Sequence, residues 1–253
     1  MNQYKKKIIG IVGGLGPQAS ADLLQKILNN TQASKDQEHI EVYLLSRPQT
    51  PDRTEYILDH SKPNPAVEIF ASISKLSSIG ANLITIACNT AHAEVIIRQV
   101  NRMIEANKLD VEMVNIIHET SSFIASRKIG RSALLATLGT YKSNLYKQYF
   151  AQENLDLIYP NDVLQLKIHQ AIYDKTFGIK SFSKKIHKKA IDIFQEACDF
   201  LEERDVKCII AGCTEIPLII PYIDSKIEII DPTEVLAKSL VQKAAGSVPK
   251  ELL

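Results

Sequence analysis

Two short stretches, Ala87-Cys88-Asn89-Thr90-Ala91-His92 and Ala211-Gly212-Cys213-Thr214-Glu215, constrain the fold of this chain more than any other feature. Residues 82–86 and 206–210, just ahead of them, are apolar runs of strand length, and the residues after each stretch have helical spacing. Each cysteine therefore falls at the carboxyl end of a predicted strand and just before a predicted helix. Open α/β sheets bind their ligands at such places. Backbone N–H groups and the helix dipole there are expected to lower a thiol pKa. Two cysteines in corresponding positions point to a site with one sulfur on each face of a substrate.

The rest of the chain repeats the same alternation. Strands are predicted at residues 7–12, 40–45, 82–86 and 111–116, and again at 132–136, 155–159, 206–210 and 226–230. Helices are predicted at 18–30, 65–78, 91–106, 118–126, 143–151, 162–173 and 182–204, and in a segment opened near Pro217. A closing helix has Asp231 as N-cap and Pro232 in its first turn. Residues 46–53 and 175–183 read as loops. Val12 to Ser20 can be laid over Leu135 to Ser143 without a gap, with leucine, glycine and serine matching. Gly16 and Gly139 are 123 positions apart, and the two cysteines are 125 apart. Two matches in the same order imply two pseudo-symmetric, doubly wound α/β domains with parallel-sheet cores, at residues 1–117 and 118–230. The closing segment, residues 231–253, is expected to pack back on the first, and the active site to lie in the cleft between the domains.

Composition narrows the function classes. A chain of 253 residues with 45% hydrophobic residues can bury a sizeable core, and a net charge of +1 implies no polyanionic partner such as a nucleic acid. The basic runs Lys5-Lys6-Lys7 and Lys184-Lys185 with Lys188-Lys189 read as a solvated terminus and a solvated helix face. No apolar stretch approaches the roughly 18–20 residues of a membrane span. The N-terminus passes from lysines into a strand without the features of a signal peptide, so a cytoplasmic location without membrane attachment is expected. The cysteines are Cys88, Cys198, Cys208 and Cys213; none has metal-ligand spacing, and free thiols are expected.

The glycine turn Gly14-x-Gly16-x-x-Ala19 formally satisfies a dinucleotide fingerprint, but Leu44-Leu45-Ser46-Arg47 stands where an acidic residue belongs. Arg47 leaves a 2′-phosphate as a minor reading, behind a backbone nest for a small anion such as a carboxylate. Cys198 within a helix and Cys208 within a strand read as core, the ordinary fate of free cysteine. Cys88 and Cys213 differ by position and recurrence. Two opposed thiols suit proton exchange at a carbon acid, where one thiolate removes the α-proton from one face and one thiol returns a proton to the other. This chemistry needs neither metal nor pyridoxal cofactor, but it does need fixed donors to the substrate carboxylate. His92, four residues after Cys88, raises the alternative of a nucleophilic Cys–His hydrolase, although a capping or packing role is the plainer one. Thr90 and Thr214 fit helix capping or substrate contact. Arg53 and Lys180 lie in the two loops, where a solvated role is the default and carboxylate binding the alternative.

At these residues the sequence resembles the aspartate/glutamate racemase family, the cofactor-independent group that includes hydantoin racemase and maleate isomerase. The resemblance spans nearly the whole chain. It rests on Ile9-Gly10-Ile11-Val12-Gly13-Gly14-Leu15-Gly16-Pro17, Pro51-Asp52-Arg53-Thr54, Cys88-Asn89-Thr90-Ala91-His92, residues 133–140, Gly178-Ile179-Lys180 and Gly212-Cys213-Thr214-Glu215-Ile216-Pro217. It implies Cys88 and Cys213 as alternating acid and base. It also implies Arg53 and Lys180 as the basic residues on the substrate carboxylates, with Asn89 and Thr90 in the substrate-holding turn. The turns at Leu15, Gly16 and Pro17 and at Thr140 and Thr214 complete the expected binding set. The Gly-Pro turn and the Pro-Asp-Arg-Thr loop bring it nearest the aspartate racemase branch. Some relatives replace one cysteine by threonine and lose one direction of catalysis; this chain keeps both. The expectation is a homodimeric, cofactor-free racemase of aspartate, with glutamate as a further substrate. Its alternatives are a broad-specificity racemase, a maleate isomerase, a cysteine hydrolase and a silent amino-acid-binding protein.

Overall fold

The computed structural model describes residues 7–182 and 185–246. Lys5, Lys6, Ser183, Lys184 and the last seven residues of the expected closing segment lie outside them. The first half builds β1 (Ile9–Gly13), α1 (Pro17–Asn30), β2 (Val42–Ser46), α2 (Arg53–Leu58), α3 (Ala66–Ser78), β3 (Leu83–Ile86), α4 (Glu94–Ala106), β4 (Glu112–Val114) and α5 (Ile116–Ser126). The second half builds β5 (Ser132–Leu135), α6 (Leu138–Lys142), α7 (Leu145–Gln152), β6 (Leu157–Ile158), α8 (Asp162–Tyr173), α9 (Lys188–Glu202), β7 (Cys208–Ala211), β8 (Glu228–Ile230) and α10 (Pro232–Ala245).

The strands form two parallel four-stranded sheets, ordered β2-β1-β3-β4 and β6-β5-β7-β8. The order is the same in both, as a duplicated unit requires. In each sheet the chain first adds a strand on one side of the founding strand and then crosses to its other side. The direction of winding therefore reverses between β1 and β3, and again between β5 and β7. The crevice at such a switch point is the natural ligand site of an open sheet. β1, β3, β5 and β7 are buried along their whole length. Strands covered on both faces read as continuous apolar runs, which is why the sequence located them.

Three apolar clusters hold these layers together. One lies under the first sheet around Ile69, Ile73, Ile84 and Ile96, and one under the second around Ile168, Phe194, Ile209 and Ile216. The third joins the halves, combining Ile9, Leu23 and Leu83 with Tyr146, Cys208 and Leu236. α10 packs on α1 and α5. Its start is fixed twice by Asp231, whose Oδ1 accepts from the Thr233 N–H at 2.7 Å while Oδ2 accepts from Lys26 Nζ of α1 at 2.5 Å.

Three expectations need correction. Arg53 opens α2 instead of ending a loop, because Asp52 caps that helix by accepting from the Glu55 N–H. The segment near Pro217 forms two 3₁₀ turns, Ile216–Leu218 and Ile220–Tyr222, and no α-helix. Pro217 and Pro221 each lack the N–H that continued winding needs. The helix expected from residue 182 starts at Lys188, where His187 caps it.

Asp231→Ala removes both the cap and the Lys26 partner. It is expected to cost about 1–2 kcal/mol, a fall in Tm of roughly 3–6 °C. Asp231→Asn keeps a capping oxygen and should lose less. Thermal unfolding of the two variants checks this, and an unchanged Tm for Asp231→Ala would contradict the docking of α10.

Candidate active site

The carboxyl ends of the two sheets face each other, and the turns after β1, β3, β5 and β7 meet there. A cavity between them is lined by Leu15, Arg53, Cys88, Asn89 and Thr90 from the first half. The second half contributes Thr137, Tyr173, Lys180, Cys213, Thr214 and Glu215. Its free volume is about 10 Å³, space for about one water. An amino acid therefore fits only after the walls part.

The glycines of the internal repeat let the halves approach. A Cβ on Gly16 would come within 1.7 Å of Glu215 Oε1, and one on Gly139 within 2.7 Å of Thr54 Oγ1 and 3.0 Å of Thr90 Cγ2. Each therefore makes room for residues of the opposite half. Threonine hydroxyls bridge the same seam: Thr90 Oγ1 is 2.9 Å from Thr140 Oγ1 and 3.2 Å from Thr137 Oγ1.

Both cysteines are nearly buried, Cys88 at 6% and Cys213 at 7% exposure. Neither stands directly at the N-terminus of an α-helix. Cys88 is followed by a 3₁₀ turn at Thr90–His92, with α4 beginning only at Glu94, and Cys213 by the proline-interrupted turns. The helix-dipole lowering expected from sequence is therefore missing at Cys213. Burial and the Glu215 carboxylate push this thiol well above its ordinary value, and Lys180 offsets only part of the rise. Cys213 Sγ lies 3.5 Å from Glu215 Oε2, an accepting oxygen for the thiol proton.

The two cations are also withdrawn from solvent, Arg53 being buried and the Lys180 side chain partly buried at 23% exposure. Arg53 donates through Nη2 to the Leu15 carbonyl at 2.7 Å and through Nη1 to the carbonyls of Pro51 at 3.0 Å and Thr50 at 3.3 Å. Burial opposes its charge, but the neighbouring Cys88 sulfur and Asp52 outweigh that and keep its pKa raised. Lys180 Nζ sits 3.1 Å from Glu215 Oε1 and 5.3 Å from the centre of the Tyr173 ring. Its pKa is likewise raised, with Glu215 and Cys213 outweighing burial. Tyr173 donates to Asp52 Oδ2 at 3.0 Å, tying the end of α8 to the cap of the helix that carries Arg53. A solvated role fits neither Arg53 nor Lys180.

The remaining expected residues are placed less uniformly. Thr140 stands behind Thr90, outside the cavity lining. Gly16 abuts Glu215, and Pro17 is exposed in the first turn of α1. The Gly14 N–H of the expected anion nest already donates to Ser20 Oγ at 3.0 Å. Arg47, the residue for a 2′-phosphate, pairs with Glu68 at 2.5 Å. His92 is buried, and burial lowers its pKa to about 4, so it is neutral near pH 7. Its Nδ1 is 2.9 Å from the Cys88 carbonyl oxygen, which holds the cysteine's backbone. A hydrolase base would need a bond to the thiol itself. Cys198 and Cys208 lie in the apolar clusters. Among the described residues no group of three His, Cys, Asp or Glu side chains is placed to hold a metal. No helix among them is long and apolar enough to cross a membrane.

Thr137, Tyr173 and Glu215 were not singled out from sequence. Glu215 had a signal, since it stands two residues after Cys213 and the tight turn there folds its carboxylate back onto the thiol. Thr137 could have been found from the repeat, where it overlies Gly14. Tyr173 had none, because its partner Asp52 is 121 residues away.

Replacing Glu215 by Gln removes a buried negative charge 3.5 Å from the sulfur and leaves Lys180 to act on Cys213 alone. Both changes favour the thiolate. In Glu215→Gln the pH midpoint for alkylation of Cys213, followed by mass spectrometry, is expected to fall by at least one unit. A midpoint that stays or rises would contradict the role given to the carboxylate.

The comparisons with known proteins identify the family and the fold. The profile of the Asp/Glu/Hydantoin racemase family matches residues 12–240. The broad specificity amino-acid racemase RacX of Bacillus subtilis is 28% identical over 92% of this chain and 96% of its own. The solved structure of Picrophilus torridus aspartate racemase superposes with a TM-score of 0.80 at 27% identity, covering 97% of both chains. Glutamate racemase RacE1 of Bacillus anthracis shares the fold, with a TM-score of 0.66 at 17% identity over 96% of this chain and 84% of its own. With a family profile that spans both sheets and both cysteine turns, the chain belongs to the Asp/Glu/Hydantoin racemase family and is an isomerase of the racemase type.

Proposed function

We propose that this racemase interconverts L- and D-aspartate, with glutamate as a further substrate, by a two-base mechanism that uses Cys88 and Cys213. The observation that carries the reading is the pairing, in one small cavity, of two buried thiols, a buried arginine and a partly buried lysine drawn from pseudo-symmetric halves. The likeness to Picrophilus torridus aspartate racemase over 97% of both chains supports the choice of aspartate.

Arg53 and Lys180 supply positive charge for two carboxylates, and the low dielectric of a closed cavity strengthens both attractions. Glu215 carries the opposite charge and can turn from Lys180 toward the substrate ammonium as the walls part. With Cys213 held as a thiol, Cys88 takes the α-proton from one face while Cys213 delivers its own proton to the other. The substrate leaves as its mirror image, with Cys88 now the thiol and Cys213 the thiolate. The return direction runs from that state. Positive charge beside the carboxylates stabilises the carbanion, whose negative charge spreads onto the carboxylate oxygens. Each step moves one proton, so the chemistry balances within the side chains of the cavity.

A broader substrate range is the second reading, favoured by the 28% identity to RacX over 92% of the chain. A panel of L-amino acids, assayed by chiral chromatography of the products, decides between the two. Fastest turnover of aspartate supports the first, and comparable turnover of neutral or basic amino acids supports the second. In the same assay Cys88→Ala and Cys213→Ala are each expected to lower racemisation about 10³-fold or more. Near-wild-type turnover in either variant would contradict the two-thiol mechanism.

A further inference from the structure

We infer that Tyr146 is a positioning residue: its buried hydroxyl fixes the Asn89 side-chain amide so that the NH₂ group, not the carbonyl, is presented to the substrate. The use of that NH₂ on a substrate oxygen rests on the racemase reading above; the orientation itself does not.

Asn89 follows Cys88 in the turn after β3, is 1% exposed and lines the same cavity as the two cysteines. Its two polar atoms are treated unequally. Oδ1 accepts from Tyr146 Oη at 2.7 Å, whereas Nδ2 is buried and has no hydrogen-bond partner among the described residues. Folded proteins rarely leave a buried donor unpaired, and such a group in a native cavity calls for an explanation. A carboxylate is a pure acceptor, so the unpaired NH₂ of a residue that lines its cavity offers a site for one of its oxygens.

The direction of the amide follows from the length of the bond. A separation of 2.7 Å is typical of O–H···O and short for N–H···O, which favours the carbonyl oxygen at the tyrosine. Tyr146 comes from α7 in the second half and Asn89 from the first, so the bond crosses the seam. Tyr146 itself is 0% exposed, embedded in the apolar cluster that joins the halves and set 6.1 Å from the Phe150 ring centre. Burial raises its pKa, so the hydroxyl keeps its proton throughout the working pH range. The core thus carries a protonated hydroxyl that donates to the amide oxygen, with Thr120 beside it. Without it, a carboxamide can turn over and place its oxygen against the substrate carboxylate, where it would repel.

The test is a double-mutant cycle with Tyr146→Phe, Asn89→Ala and the double variant. Tyr146→Phe is expected to lower kcat about tenfold, and Asn89→Ala by 10²-fold or more, as loss of a charge-stabilising donor does. In the Asn89→Ala background Tyr146→Phe should change kcat less than twofold, since no amide remains to orient. Independent effects, or wild-type kcat in Tyr146→Phe, would overturn the inference; a purely structural tyrosine would lower Tm while leaving kcat intact. A second readout needs no activity. The side-chain NH₂ resonances of Asn89, assigned by their loss in Asn89→Ala, should shift or broaden in Tyr146→Phe. Unchanged resonances would overturn the orientation, whereas an inert wild-type enzyme would overturn only the racemase reading.

Discussion

Everything at this site depends on the apposition of the carboxyl ends of two sheets across a seam that is polar where it meets the cavity. Deep in the seam the halves share an apolar cluster around Tyr146, Cys208 and Leu236. At the cavity the contacts are hydrogen bonds: Tyr173 to Asp52, Thr90 to Thr140 and Thr137, Tyr146 to Asn89. Apolar burial is insensitive to small displacements, but hydrogen bonds weaken steeply with poor geometry. The first sets the closeness of the halves and the second sets their register. Gly16 and Gly139 permit that closeness, each by lacking the Cβ that would strike the other half. The duplicated strand order then makes the cysteines after β3 and β7 counterparts at one cavity.

Closure also decides the electrostatics. Four ionisable groups and two thiols' worth of chemistry share a space with room for about one water. Solvent contributes little screening, so each proton is governed by the neighbouring charges and by burial. On Cys213 both main influences act in one direction, raising its pKa. On Arg53 and Lys180 they oppose each other and the neighbouring negative groups prevail. Glu215 is the pivot of this balance, because it neutralises Lys180 and at the same time holds the Cys213 proton. The two thiols are therefore placed symmetrically by the fold but stand in unequal surroundings.

Much of this was legible in the sequence. The four central strands are buried and read as continuous apolar runs, the four partly exposed outer strands overlap the shorter apolar runs predicted for them, and the offset between the glycine and cysteine turns reveals the repeat. The cysteine turns were found because sheet topology fixes where a strand-end residue goes. The shortfalls have physical causes. Arg53 reads as a loop residue because α2 is only six residues long, too short to show a period. The dipole expected at Cys213 fails because Pro217 and Pro221 break the winding, a backbone effect that apolar spacing does not register. Tyr173 and Tyr146 escape notice because their partners, Asp52 and Asn89, lie 121 and 57 residues away. A hydrogen bond between distant residues leaves no periodic trace.

The central claim is that two sulfurs from two pseudo-symmetric halves work on opposite faces of one carbon. Proton NMR of L-aspartate turned over in D₂O, stopped at low conversion and resolved by enantiomer, tests it most directly. Two opposed thiols predict D-aspartate that carries deuterium at Cα while the remaining L-aspartate keeps its proton, because the group that removes the proton is not the one that returns it. Deuterium appearing in the unreacted L-aspartate as fast as in the product, or D-aspartate that retains the original proton, would contradict the account.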